Sequence, residues 1–178
     1  MKTLGLFRHA KSDWGASDKR DYDRGLNARG RRGAQLMGTH IRDHGVAWDI
    51  LLASPAERVR LTLEEARIGI APEWDKQLYL AGTDTILEIL REQGGSGDKA
   101  MIAGHNPGLG DMILELVAPE AENALFDEAK VKFPTAAFAV LELDIEDWSD
   151  IAPGSGRLVH FARPRDLDAA LGPETAPD

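Results

Sequence analysis

The sequence predicts a three-layer α/β/α sandwich built on a mainly parallel central sheet, and three observations carry that expectation. Short apolar runs at 3–7, 49–53 and 100–103 read as buried strands. Between them lie stretches whose apolar residues recur at helical spacing, the crossovers that parallel strands require. With 178 residues, 43% of them hydrophobic, the chain is long enough for one sizeable core. A single domain over residues 1–167 is expected. A loose tail should follow over 168–178, where Gly172-Pro173-Glu174-Thr175-Ala176-Pro177-Asp178 shows no apolar period.

The opening run, Thr3-Leu4-Gly5-Leu6-Phe7, ends directly in Arg8-His9-Ala10-Lys11-Ser12. A buried strand that stops at an imidazole and two cations points to anion chemistry, which needs a nitrogen nucleophile and a guanidinium fork. Residues 13–25 are polar and without period, so they read as a long surface loop: a candidate lid or substrate-reading surface, or else a solvated connector. Asn27 then caps a helix carrying Ala34, Met37, His40, Ile41 and His44, closed by Gly45. His40 and His44 share a face, but two imidazoles are an incomplete metal site, and an ordinary helix-face placement is expected.

The second strand, 49–53, stops at Ser54, and Ser54-Pro55-Ala56-Glu57 has the pattern of a capping box with proline at the first helical position. Arg58 falls in that helix's first turn, where the dipole disfavours a cation unless an anion is near. Arg60 points elsewhere and is compensated on the surface by Glu57 and Glu64 or Glu65. A third extended piece is expected over 74–80. Asp84 then caps a helix bearing Ile86, Leu87, Ile89 and Leu90, which Gly94-Gly95-Ser96-Gly97 ends. Those glycines follow a helix rather than a strand, so the dinucleotide-binding fingerprint does not apply.

The strand at 100–103 runs into Gly104-His105-Asn106-Pro107-Gly108, with Asn106 as cap, Pro107 as first helical residue, and Leu109, Met112, Ile113 and Leu116 on one face. Residues 120–132 are acidic and irregular, with a short helical turn. Strands follow at 136–143 and 157–161, one of them reversed, and His160 reads as a partly buried structural histidine.

Composition narrows the function. The chain has no cysteine, which rules out disulfides, thiolate chemistry and Cys-ligated zinc, and fits a reducing compartment. It has neither an apolar stretch long enough for a bilayer nor the pattern of a signal peptide, so a cytoplasmic location is expected. A net charge of −9 argues against a nucleic-acid or anionic-membrane surface. A basic pocket inside an acidic protein would admit one phosphate and repel polyanions.

Topology then assembles that pocket. In open parallel sheets, ligands bind at the carboxyl ends of the strands. Arg8 and His9, Arg58, and His105 occupy three such ends. Two guanidinium forks suit a dianionic phosphate, and one imidazole can attack phosphorus in line. The arginines and a protonated second imidazole would balance its charge, so no metal or other cofactor is needed.

Leu6-Phe7-Arg8-His9-Ala10-Lys11-Ser12, Ser54-Pro55-Ala56-Glu57-Arg58 and Gly104-His105-Asn106-Pro107-Gly108 resemble the three signature segments of the histidine phosphatase superfamily. Asp23-Arg24-Gly25-Leu26-Asn27 and Lys132-Phe133-Pro134-Thr135 are similar to its SixA-type phosphohistidine phosphatase branch. The resemblance covers the chain to about Leu167 and implies a phosphoglycerate mutase-like fold. It implies that His9 is a nucleophile carrying a transient phosphoryl group, and that Arg8, Arg58 and His105 bind the phosphate and stabilise the transition state. Many members also use a carboxylate to protonate the leaving group, and Leu78-Tyr79-Leu80-Ala81, where it would lie, has none. That gap favours a labile P–N substrate, such as a histidine-containing phosphotransfer domain. The alternatives are a small phosphate ester, hydrolysed or isomerised in the same pocket, and a phosphate- or phosphoprotein-binding module without turnover.

Overall fold

A computed structural model describes residues 1–15 and 18–172. Its six strands are β1 (Lys2–Arg8), β2 (Ile50–Ala53), β3 (Glu73–Trp74), β4 (Lys99–Gly104), β5 (Phe138–Leu143) and β6 (Gly156–Ala162), in the order β3-β2-β4-β1-β5-β6. The first four run parallel, while β5 is antiparallel to both β1 and β6. The helices are α1 (Ala28–His44), α2 (Glu57–Ala66), α3 (Thr83–Gln93), α4 (Gly108–Leu116), α5 (Ala124–Val131) and the short α6 (Pro164–Leu167).

The alternation of side chains along each strand divides the core in two. Leu4, Leu6, Leu52, Ile102 and Leu141 face α3, α4 and α5. Phe7, Leu51, Met101, Phe138 and Val140 face α1 and α2. This is the expected sandwich, with β5 as the reversed strand. On the second face α1 and α2 touch backbone to backbone, since a Cβ on Gly38 would lie 2.0 Å from the Ala66 carbonyl oxygen. Among the described residues, no helix is long and apolar enough to cross a membrane.

Helix α1 begins as the sequence predicts. The Asn27 side chain accepts from the Gly30 N–H at 2.7 Å, and Gly45, at φ 86°, ends the helix in the left-handed region. Four other expectations are corrected. The extended piece at 74–80 shrinks to a two-residue strand, because Asp75 turns its carboxylate onto the Gln77 N–H and starts a 3-10 turn over Lys76–Leu78. Helix α3 is capped by Gly82, and Asp84 lies inside its first turn, where a carboxylate suits the dipole. The Ser54 capping box does not form: α2 starts at Glu57 after Ala56, and the Glu57 carboxylate turns to Arg60. Helix α4 starts at Gly108 after Pro107, although the Asn106 side chain still accepts from the Gly110 N–H at 3.1 Å.

The irregular stretch 120–132 contains all of α5, capped by the Asn123 side chain on the Phe126 N–H. Past residue 167, a 3-10 turn over Ala169–Leu171 continues the chain, Arg32 pairs with Asp168, and Arg29 donates to the Gly172 carbonyl. The remainder of the expected tail, 173–178, lies outside the described residues.

Candidate active site

Three strand exits build one crevice. Arg8 is the last residue of β1, and His9 follows it. Arg58 stands in the first turn of α2, just past the end of β2, and His105 follows β4. The register holds the exits level: Arg8 lies opposite Gly104, and Ala53 opposite Ala103. Parallel pairing of β1 and β2 to β4 therefore carries residues remote in sequence to one end of the sheet. All four side chains are buried.

His9 and His105 face each other with ring centroids 5.4 Å apart. The Nδ1 of His9 lies 2.8 Å from the Ala10 carbonyl oxygen. A carbonyl only accepts, so Nδ1 carries the hydrogen and Nε2 keeps its lone pair. Burial pushes the His9 pKa well below its ordinary value, and the positive charge of Arg8 pushes it the same way, so the ring is neutral at pH 7. The Arg8 Nη1 donates to the Phe133 carbonyl at 3.1 Å, which ties the guanidinium to the segment preceding β5.

The His105 Nε2 pairs with the Ser54 hydroxyl at 2.7 Å, while its Nδ1 is buried without a hydrogen-bond partner among the described residues. Burial and the nearby Arg58 lower its pKa to about 3. In the free protein His105 is therefore neutral, whereas the protonated second imidazole is an expectation for the site with a phosphate dianion bound. The two arginines beside it already make a further cation unfavourable.

Sequence reasoning missed three participants. Ser54, read as a helix cap, is the partner of His105. Asp21, inside the 13–25 segment, places its carboxylate 3.0 Å from the Arg58 Nη2 and accepts a hydrogen bond from Tyr79. Tyr79 meets His105 edge to face at 5.4 Å. The unexplained cation in the first turn of α2 was the available signal, since it called for a nearby anion.

Lys11 is buried. Arg60 points away and pairs with Glu57 and Glu64, as its spacing predicts. His40, His44 and His160 gather elsewhere, at the packing of α1 on β6. The His40 and His160 Nε2 atoms are 2.8 Å apart in nearly parallel rings, the geometry of one imidazole donating to the other. Among the described residues, no group of three ligating side chains is arranged to hold a metal ion.

Comparison with known proteins agrees with this geometry. Residues 4–79 match the model of the histidine phosphatase superfamily (branch 1). An uncharacterized protein of Mycobacterium tuberculosis, Rv1276c, is 34% identical over 159 residues, covering 89% of this chain and 99% of its own. The structure of a candidate phosphohistidine phosphatase SixA from Nakamurella multipartitia superposes with a TM-score of 0.81 at 30% identity, over 92% of this chain and 96% of that one. A second such protein, from Agrobacterium tumefaciens, gives 0.73 at 29%, over 92% and 99%. A protein histidine phosphatase SixA complexed with tungstate, at 22% identity and a TM-score of 0.73, shares the fold. With its three signature segments converging on one crevice and these relatives matched over nearly their whole length, the chain belongs to the histidine phosphatase superfamily, as a phosphatase of the SixA type.

Proposed function

We propose that the chain dephosphorylates phosphohistidine on proteins, such as a histidine-containing phosphotransfer domain, through a phosphoryl group carried on His9. The observation that carries this reading is the tautomer of His9: the Ala10 carbonyl holds the hydrogen on Nδ1, leaving Nε2 as a neutral nucleophile. The Nε2 lone pair attacks phosphorus, the bond to the substrate nitrogen breaks, and the departing imidazole takes a proton from solvent. Water then attacks the phosphoryl group, releasing inorganic phosphate and restoring His9. Arg8 and Arg58 supply the positive charge, and the buried Nδ1 of His105 is a further polar atom for a phosphoryl oxygen. Loss of one such group costs about 100-fold to 1,000-fold in rate.

The leaving group supports the substrate class. The carboxylate at this site, Asp21, has its pKa held below the ordinary value, so it is an anion at neutral pH and a poor proton donor. An alkoxide leaves poorly without a proton, whereas imidazole is far less basic. The test compares wild type with His9→Ala on a phosphohistidine protein and on para-nitrophenyl phosphate, trapping the acid-labile phosphoryl-enzyme. Wild type should form the adduct and prefer the protein substrate. Undiminished turnover by His9→Ala refutes the mechanism, and equal or better turnover of simple esters refutes the substrate class in favour of a small-molecule phosphomonoesterase.

A further inference from the structure

The segment joining β1 to α1 is closed at its neck and reaches back into the crevice. The Asp13 N–H donates to the Gly25 carbonyl at 2.9 Å, the Asn27 N–H to the Lys11 carbonyl at 3.2 Å, and Ser12 bridges Leu26 as an antiparallel pair. Beyond this neck, a 3-10 turn over Asp21–Asp23 rests on α2. Tyr22 secures the turn by meeting Tyr79 edge to face, with centroids 5.0 Å apart. The result is that Asp21 meets Arg58 twice: Nη1 donates to its backbone carbonyl at 2.7 Å and Nη2 to its carboxylate at 3.0 Å. The Tyr79 hydroxyl donates to the same carboxylate oxygen.

These contacts involve groups of unequal exposure. The Arg58 side chain is 6% exposed and that of Asp21 is 46% exposed, so the anion stands on the solvent side of a buried cation. Two bonds to the far end of a planar guanidinium stop its rotation, because Nη1 and Nη2 are held by acceptors on one residue. The bonds to Asp21 engage Nη1 and Nη2, and the Nε–H is a further donor on the same planar guanidinium. We propose that Asp21 is a positioning residue for the phosphatase reaction, its carboxylate holding the outer end of Arg58 so that the Nε edge meets the phosphoryl group. This assignment rests on the reading of Arg58 as a phosphate-binding residue. Partial burial works against the Asp21 carboxylate, yet the bonds from Tyr79 and Arg58 keep it ionised, while burial and Asp21 itself keep the Tyr79 hydroxyl protonated. The 13–25 segment is then more than a cover, since its turn sets the angle of a phosphate-binding group.

Turnover of para-nitrophenyl phosphate and calorimetric binding of tungstate, measured on Asp21→Ala, Asp21→Asn, Tyr79→Phe and Arg58→Ala, test the proposal. Misplacement of a reacting or binding group by about 1 Å costs on the order of 100-fold. Asp21→Ala should lower kcat about 10-fold to 100-fold with KM nearly unchanged, because alignment matters most in the transition state. Asp21→Asn should recover part of the loss, since its amide oxygen still accepts from Nη2. Tyr79→Phe removes one hydroxyl and should move kcat in the same direction by less, which serves if Asp21→Ala fails to fold. Unchanged kcat in Asp21→Ala overturns the proposal, as does a lower KM with kcat retained, the mark of a competing anion. If Arg58→Ala leaves turnover and tungstate binding intact, the phosphate-pocket reading itself fails. If Arg58→Ala abolishes both while Asp21→Ala is neutral, only the role of Asp21 fails.

Discussion

Mild acid should weaken this fold through a histidine that it keeps neutral. His105 is 3% exposed, and burial together with Arg58 lowers its pKa to about 3, whereas an unfolded chain would hold it near 6.5. Between those values the unfolded state binds a proton that the folded state refuses, so the stabilisation is complete above the unfolded pKa and is lost as the pH falls through it. The slope approaches about 1.4 kcal/mol per pH unit, and the loss from pH 7 to pH 5 comes to about 2 kcal/mol. His9 and His160 shift in the same direction, so wild type should lose more than this. Carboxylates with lowered pKa, such as Asp21 and Asp98, act in the window below about pH 4.5 and leave the measurement clear. Urea midpoints at pH 7, 6 and 5 for wild type and His105→Asn isolate the effect: the variant should be less stable at pH 7 and should lose about 2 kcal/mol less on acidification. Parallel pH dependences in the two proteins would refute a neutral His105.

Three further substitutions test the packing behind the site. Gly38→Ala gains about 1 kcal/mol in helix propensity, but its Cβ would lie 2.0 Å from the Ala66 carbonyl oxygen. Backbone cannot rotate aside, so α1 must lift from α2 and a net loss of about 1–3 kcal/mol is expected; a raised Tm contradicts it. Ser54→Ala removes the described partner of the His105 Nε2. It should cost about 1–3 kcal/mol in urea titration and lower kcat; if neither changes, Ser54 does not orient the imidazole. Asn27→Ala removes the cap on the Gly30 N–H and the bond from Nδ2 to the Ser12 carbonyl. A loss of about 1–2 kcal/mol is expected, and an unaltered thermal transition would rule out that contribution.

Local chemistry was legible where one residue decides a backbone choice. Asn27 and Gly45 bound α1 because a side-chain acceptor and a left-handed residue act within a single turn. The same reasoning failed at Ser54, which has the right residues for a capping box but lies 2.7 Å from His105. It also failed at 74–80, where the local carboxylate of Asp75 outweighed an extended pattern. Helix α5 was hard to see because two residues of its eight, Phe126 and Ala129, are buried, too few to set up a clear period.

The sequence by itself determined the sandwich, the signature segments and the level at which their side chains emerge. Apolar runs, crossover helices and the fixed hand of parallel connections leave little freedom in where strand exits lie. Only the tertiary structure decided how those side chains are tuned. The hydrogen on the His9 Nδ1 follows from a carbonyl 2.8 Å away, and the neutrality of His105 from burial beside Arg58. The contact of Asp21 with Arg58 spans 37 residues, and the cation in the first turn of α2 signals only that some anion lies near, not which one. Strand ends follow from short-range rules, whereas protonation and orientation depend on neighbours that meet only when the chain is folded.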